Sequence, residues 1–229
     1  MFCLILKKRV LVLSIVGLLL AVGILAGVLA VKSVYSPKPT YTIVIDAGHG
    51  GEDGGAVGKT TNVKESYLNL QYALCLQKMC SDFGINVVMT RSDMNGLYSN
   101  AAKNKKKSEM KKREEIIKKA NADMVISIHM NSFPLRSSKG AQVFYGKGNK
   151  SGQFLAESVT SMLSQNMDNA RESAKVGDYY ILNCTKKPAI LVECGFLSNP
   201  EEEKLLQSEE YIHSMCYSIM CGILMYYEV

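Results

Sequence analysis

Three side chains stand where a hydrophobic, strand-like run stops: His49 after Ile43-Val44-Ile45-Asp46, His129 after Val125-Ile126-Ser127-Ile128, and Glu193 after Ile190-Leu191-Val192. The chain holds three histidines, and two of them occupy such positions. One histidine at a strand end is commonly a hydrogen-bonded structural residue. Two with a carboxylate point to metal chemistry if the three strands are parallel neighbours, because ligands then gather beyond their carboxyl ends. Neutral imidazole is a good donor to zinc, and catalytic zinc sites commonly take three protein ligands, such as two histidines and a carboxylate, leaving a position for water. Glu65, Glu52, Asp53 and Asp46 compete for the third place. Glu65 opens a predicted helix that begins on the same sheet edge, although an acid in a first helical turn also suits the helix dipole. Asp46 could equally accept an imidazole N–H and orient it. Glu193 fits a different task. A carboxylate beside a metal-activated water can take its proton and return it to a leaving nitrogen, whereas a buried acid without partners is costly.

The elements that must position these groups are legible in order. Gly48, Gly50 and Gly51 follow the first strand and permit a sharp turn with close ligand approach; the glycine-rich loop continues to Thr61. Lys64 to Phe83 has helical spacing, with Leu68, Tyr72, Leu76 and Met79 on one face, and Gly84 ends it. Ile85 to Thr90 reads as a second strand. Arg91 to Lys112 is polar and lysine-rich, a solvated loop and helix start or a surface for an anionic polymer or membrane. Arg113 to Ala120 is predicted helical, Asp123 to His129 a third strand and Gly140 to Tyr145 a fourth. Gln153 to Met167 is an amphipathic helix, Tyr179 to Asn183 and Ala189 to Glu193 are two short strands, and Glu201 to Leu206 and Tyr211 to Tyr227 are helical. The expected fold is therefore α/β: a single domain with a twisted, mostly parallel sheet of about six strands and helices on both faces.

Ahead of this domain, Lys7-Lys8-Arg9 precede the apolar run Val10 to Val31, long enough to cross a bilayer as a helix. The basic residues lie before the span, so the domain is expected outside the cytoplasm. An uncleaved transmembrane signal-anchor is the favoured reading. A cleaved signal peptide, with Val28-Leu29-Ala30 as a weak cleavage site, is the main alternative, and a buried helix a lesser one. The expected organisation is an anchor or signal over 1–32, a Pro-containing tether over 33–40, and a catalytic domain over 41–229. The net charge of +6 owes much to Lys7, Lys8, Arg9 and Lys32. The remaining 23 basic and 21 acidic residues are too nearly balanced to argue for nucleic acid. Seven scattered cysteines lack zinc-knuckle spacing and read as buried free thiols.

Four ordered segments carry a family resemblance: Ile45-Asp46-Ala47-Gly48-His49-Gly50-Gly51, Lys64-Glu65 through Asn69-Leu70, Ser127-Ile128-His129-Met130-Asn131, and Leu191-Val192-Glu193-Cys194-Gly195-Phe196-Leu197-Ser198-Asn199. From about Thr42 to Tyr226 the chain resembles the zinc-dependent N-acetylmuramoyl-L-alanine amidases of bacterial cell walls, of the family-3 type. The resemblance implies that His49, Glu65 and His129 bind Zn2+ and that Glu193 is the catalytic carboxylate. It implies hydrolysis of the amide between the lactyl group of N-acetylmuramic acid and L-alanine of the peptidoglycan stem peptide. Arg91 and Arg113 fall where such enzymes carry arginines, as structural or substrate-binding residues. Asn131 and Asn199 are plausible donors in the cleft rim. Met130 and Cys194 depart from the expected small or aliphatic residues, and a thiol beside the catalytic acid should face the other side of its strand. Some members carry an autoinhibitory helix after the second histidine, but Met130 to Lys139 is too short for one, so control would come from outside, for example from an activator protein. A compact, anchored member without wall-binding repeats resembles the sporulation and germination amidases that act on spore cortex and help form muramic-δ-lactam. The main rival is an inactive amidase-like module that binds peptidoglycan or a partner; a zinc peptidase cutting within the stem peptide and a general polyanion binder are further rivals.

Overall fold

The computed structural model describes residues 15–24 and 41–228. Residues 15–24 are helical and exposed. Most of the expected membrane span lies outside the described residues, and among those described no helix is long and apolar enough to cross a membrane.

From Tyr41 onward the chain builds one six-stranded sheet. Its strands are β1 (Thr42–Ala47), β2 (Asn86–Met89), β3 (Met124–Asn131), β4 (Gln142–Gly146), β5 (Lys175–Gly177) and β6 (Ala189–Phe196). Their order is β2-β1-β3-β6-β4-β5, and every neighbouring pair is parallel except β4 with β6. The central strands β1, β3 and β6 are nearly continuous apolar runs because both of their faces are covered. Alternation sorts the side chains. Ile43, Ile45, Met124, Ile126, Ile128, Ile190, Val192 and Cys194 join the larger core with Leu68, Tyr72, Leu155, Val159 and Ile219. Val44, Val125 and Leu191 face a smaller core with Ile117, Ile181 and Leu182. The larger side is covered by helices α1 (Glu65–Asp82), α3 (Lys150–Asn166) and α5 (Glu209–Glu228), and the thinner side by α2 (Lys105–Ala120) and a 3₁₀ turn (Tyr180–Asn183). A short helix, α4 (Pro200–Leu205), links β6 to α5. Among the described residues, the members of both cores lie between Tyr41 and Tyr227.

Three expectations are corrected. Tyr179–Asn183 is not a strand: Leu182 N–H donates to the Tyr179 carbonyl (3.1 Å), which also receives the Asn183 amide at 3.3 Å, closing a turn. The place beside β6 is already filled by antiparallel β4, and the extra edge strand is Lys175–Gly177. α2 begins eight residues before Arg113, because the Asn104 side chain accepts Lys107 N–H at 2.9 Å and caps it. Between β3 and β4 there is no helix, as the short interval required.

Candidate metal centre and active site

β1, β3 and β6 are adjacent and parallel, so their carboxyl ends share one edge. Register pairs Ala47 with Ile128 and His129 with Glu193. Ser127, His129 and Glu193 therefore point to the thinner side of the sheet, while Met130 and Cys194 are buried in the larger core. Cys194 faces away from the site, as its neighbour in sequence required.

β1 hands His49 to the site through a strained turn. Gly48 N–H donates to the Ile128 carbonyl at 3.1 Å, and a Cβ on Gly48 would overlap the His129 ring. His49 itself has φ 60, a left-handed conformation that costs a non-glycine residue of order 1 kcal/mol and is retained where the surroundings fix it. Glu65 is the first residue of α1. Its Oε2 accepts Ala56 N–H at 2.8 Å, while its Oε1 accepts Met130 N–H at 3.2 Å and the Asn69 amide at 3.3 Å. At Gly55 (φ +68) any side chain would collide with this carboxylate.

These supports bring three donor atoms together. Glu65 Oε1 lies 2.8 Å from His129 Nδ1 and 3.2 Å from His49 Nε2, and the three ligand atoms lie within 4.8 Å of one another. Tetrahedral zinc with bonds of ~2.1 Å would separate such donors by ~3.4 Å, so two imidazoles and one carboxylate fit such an ion in type and spacing. Electrostatics agree. Burial disfavours charge on Glu65, yet the two imidazoles hold its pKa well below the usual carboxylate range. Burial lowers the His49 pKa, but Glu65 and Asp53 outweigh it and raise it. The cluster thus concentrates negative charge and imidazole lone pairs at one point.

The other acids have separate partners. Glu52 pairs with Lys105 at 2.6 Å. Asp53 sits behind His49, with Oδ1 2.9 Å from Nδ1, and binds Lys106 through its other oxygen at 2.5 Å. Burial opposes ionisation of Asp53, but Lys106 and His49 bring its pKa down to about 2. Asp46 does not orient an imidazole: it accepts from the Thr90 and Ser127 hydroxyls, both at 2.7 Å, and pairs with Arg113. Its pKa is lowered, Arg113 and the hydroxyls prevailing over burial.

Both arginines are buried and bind backbone carbonyls, and Arg113 also lines the cleft. Arg91 donates to the carbonyls of Ala47 (2.9 Å), Gly48 (2.9 Å) and Ser66 (2.8 Å). Arg113 donates to the carbonyls of Ala47 (2.9 Å) and His49 (2.6 Å) and pairs with Glu109 at 2.6 Å. Together they satisfy the backbone that breaks away from the sheet at β1. Asn131 lines the cleft. Asn199 instead caps α4 by accepting Glu201 and Glu202 N–H groups.

Glu193 lies in the same cleft with His49, Glu65, His129, Lys106, Met110 and Tyr179. Its Oε2 is buried without a hydrogen-bond partner. Burial and the negative charge of Glu65 outweigh the attraction of the histidines and raise its pKa to about 7. That poise suits a group that must both accept and release a proton near neutrality. Sequence reasoning left two supports unassigned: Asp53 behind His49, and Asn69, which donates to Glu65 Oε1 and to the Gly48 carbonyl at 3.1 Å. Asn69 was detectable as the residue one turn beyond Glu65 on the same helix face.

The likenesses to known proteins agree with this geometry. Residues 43–225 match the family described as N-acetylmuramoyl-L-alanine amidase. The germination-specific N-acetylmuramoyl-L-alanine amidase of Bacillus subtilis is 34% identical over 195 residues, covering 83% of this chain and 81% of that protein. The structure of the CwlD amidase from Clostridioides difficile, in complex with the GerS lipoprotein, superposes with a TM-score of 0.79 at 35% identity, over 82% of this chain and 99% of that one. The catalytic domain of CwlV, an N-acetylmuramoyl-L-alanine amidase from Bacillus (Paenibacillus) polymyxa, gives a TM-score of 0.74 at 29% identity, over 83% and 99%. The family match spans the sheet, the cleft and all four clustered side chains, and the chain belongs to the N-acetylmuramoyl-L-alanine amidase family of peptidoglycan amidases.

Proposed function

We propose that this enzyme is a Zn2+-dependent amidase in which His49, Glu65 and His129 bind the metal and Glu193 is the catalytic acid–base. The observation that carries this reading is the convergence of two imidazoles and one carboxylate on a point beside an unpartnered carboxyl group. Bound zinc would supply Lewis-acid polarisation of the lactyl carbonyl and a water of lowered pKa. Glu193 takes the proton of the attacking water. It then gives the proton to the nitrogen of L-alanine as the C–N bond breaks, leaving a lactyl carboxylate and a free peptide amino terminus. The Ala56 and Met130 amides hold the Glu65 carboxylate and Asp53 lies close behind the His49 ring, so little reorganisation accompanies the reaction. The apolar flank of Met110, Tyr179, Ile181 and Leu191 limits water in the cleft.

The biological setting extends the same reading. The likeness to a germination-specific amidase and to CwlD supports action on spore cortex, in the step that leads to muramic-δ-lactam. The complex formed by that relative with a lipoprotein supports an activator protein here too. Residues 1–32 would hold the enzyme at the outer face of the membrane, possession of an apolar span flanked by Lys7-Lys8-Arg9 being the support. Incubating the enzyme with purified peptidoglycan, with and without a chelator, tests the chemistry. The expected product is intact stem peptide with new L-alanine amino termini, lost on chelation and restored by Zn2+. Cleavage inside the peptide would instead favour the peptidase, and wall binding without any product the inactive module.

A further inference from the structure

The sheet edge opposite the cleft carries a surface that hydrolysis does not use. β1, β3 and β6 begin there with Thr42, Met124 and Ala189, and antiparallel β4 ends there at Gly146. Lys147 and Lys150 follow β4, and Lys186 and Lys187 precede β6. They line two adjoining grooves that share Asn183, Thr185 and Lys186, and the Asn149 amide joins the two segments by donating to the Lys187 carbonyl at 3.0 Å. The acid lining these grooves, Glu114, is occupied by Lys118 and by the Tyr180 hydroxyl, each at 2.5 Å. Among the described residues, no carboxylate forms an ion pair with Lys147, Lys150, Lys186 or Lys187. The other acids of this edge are partly engaged: Asp82 pairs with Lys78 at 2.7 Å and Asp123 accepts Thr42 N–H at 2.9 Å, while Glu228 ends α5.

Aromatic side chains share the edge. Tyr41, where the chain enters the domain, stacks on Tyr227 with ring centres 3.6 Å apart, and Tyr226 lies 5.6 Å from Phe154 in the first turns of α3. Phe154 is 39% exposed, and Phe83, just before β2, is 56% exposed. Unpaired lysines attract anionic headgroups by about 1 kcal/mol each near a bilayer, and tyrosine and phenylalanine suit the same interfacial depth. The tether over residues 33–40 spans at most ~28 Å when fully extended, so an anchored domain would stay near such a surface.

We propose that this lysine and aromatic edge docks on anionic phospholipid headgroups, which leaves the cleft at the far edge open toward the wall; the membrane's proximity rests on the anchor reading above. Residues 41–229 provide the probe, since the described residues of both cores lie within them and 82% and 83% of this chain suffice to match 99% of the solved CwlD and CwlV chains. The domain should co-sediment with mixed phosphatidylglycerol and phosphatidylcholine vesicles but not with pure phosphatidylcholine, and raised salt should release it. Combining Lys147→Gln, Lys150→Gln, Lys186→Gln and Lys187→Gln should weaken vesicle binding by at least about tenfold while hydrolysis of soluble muropeptides is unchanged. Failure to bind the mixed vesicles at low salt, or undiminished binding by the quadruple variant, overturns the proposal. So does tighter binding to polyphosphate that displaces the vesicles, which would mark a soluble-polyanion site. Carbonate extraction of the full chain separates the two readings: a chain that resists extraction while its domain ignores vesicles keeps its anchor and loses its docking surface.

Discussion

Glu193 and Asp53 show how single side chains divide the work. In the metal-free protein Glu193 has a raised pKa, so its charged form is disfavoured on folding. The destabilisation appears as pH rises from the ordinary carboxylate value toward about 7 and is fully present above it. Glu193→Gln should therefore abolish turnover, by about 10²-fold or more, while raising the urea stability of metal-free protein at pH 8 by on the order of 1–3 kcal/mol; the stability gain should vanish near pH 4. A variant that loses activity and stability together would indicate a structural acid. Asp53 acts through His49. Asp53→Asn should weaken zinc binding about 10–100-fold in chelator competition, a loss larger than its effect on the stability of metal-free protein, where the lost pairing with Lys106 and His49 should also register at neutral pH. At this scale the sequence was most informative. His49, Glu65, His129 and Glu193 are brought together where strand ends and a helix start suggested, with Glu65 singled out from its competitors by family resemblance. Asp53 was legible only as a competing ligand, because its place behind His49 depends on the fold of a glycine-rich loop that no periodicity describes.

Elements position these groups through a polar seam under β1. Asp46, Thr90, Ser127 and Arg113 form a buried network whose arginine also holds the Ala47 and His49 carbonyls. Arg113→Leu strands Asp46 and Glu109 without their cation and frees the His49 carbonyl, the Ala47 carbonyl keeping its bond from Arg91, so it should cost about 3–5 kcal/mol in denaturant titration. Acid should act on the same seam. Asp46 has a depressed folded pKa, so its stabilisation is present above the ordinary aspartate value and is lost as pH falls through the folded one. Wild-type stability should decline on acidification below about pH 4, and Asp46→Asn should flatten that decline. The central strands were readable because burial on both faces leaves uninterrupted apolar runs. Tyr179–Asn183 misled for the same physical reason in reverse: its apolar residues are buried against the thinner side by a 3₁₀ turn, and composition alone does not separate the two conformations. The seam itself was half legible, since Arg113 and Asp46 were noted but their pairing across 67 positions was not.

For the whole molecule, the described residues of both cores lie from Tyr41 onward, and the six described cysteines are all free. Among the described residues, no cross-link ties the domain together. Removing residues 1–40 should shift the melting temperature of the domain by no more than about 2 °C, within the effect of a surface substitution. Reductant should leave it unchanged, because none of the six described cysteines is in a disulfide. Hydrolysis of soluble muropeptides should survive the truncation, while activity on wall held beside a membrane should fall. The fall would be a matter of effective concentration: if residues 1–32 anchor the chain as proposed, a short tether keeps the cleft near its substrate without adding any contact to it. A truncated enzyme equally active on both substrates would show that the N-terminal segment contributes export alone. A truncated enzyme that unfolds early would mean that residues before Tyr41 pack on the domain, and the stacked Tyr41–Tyr227 pair at its entrance is where such packing would register first.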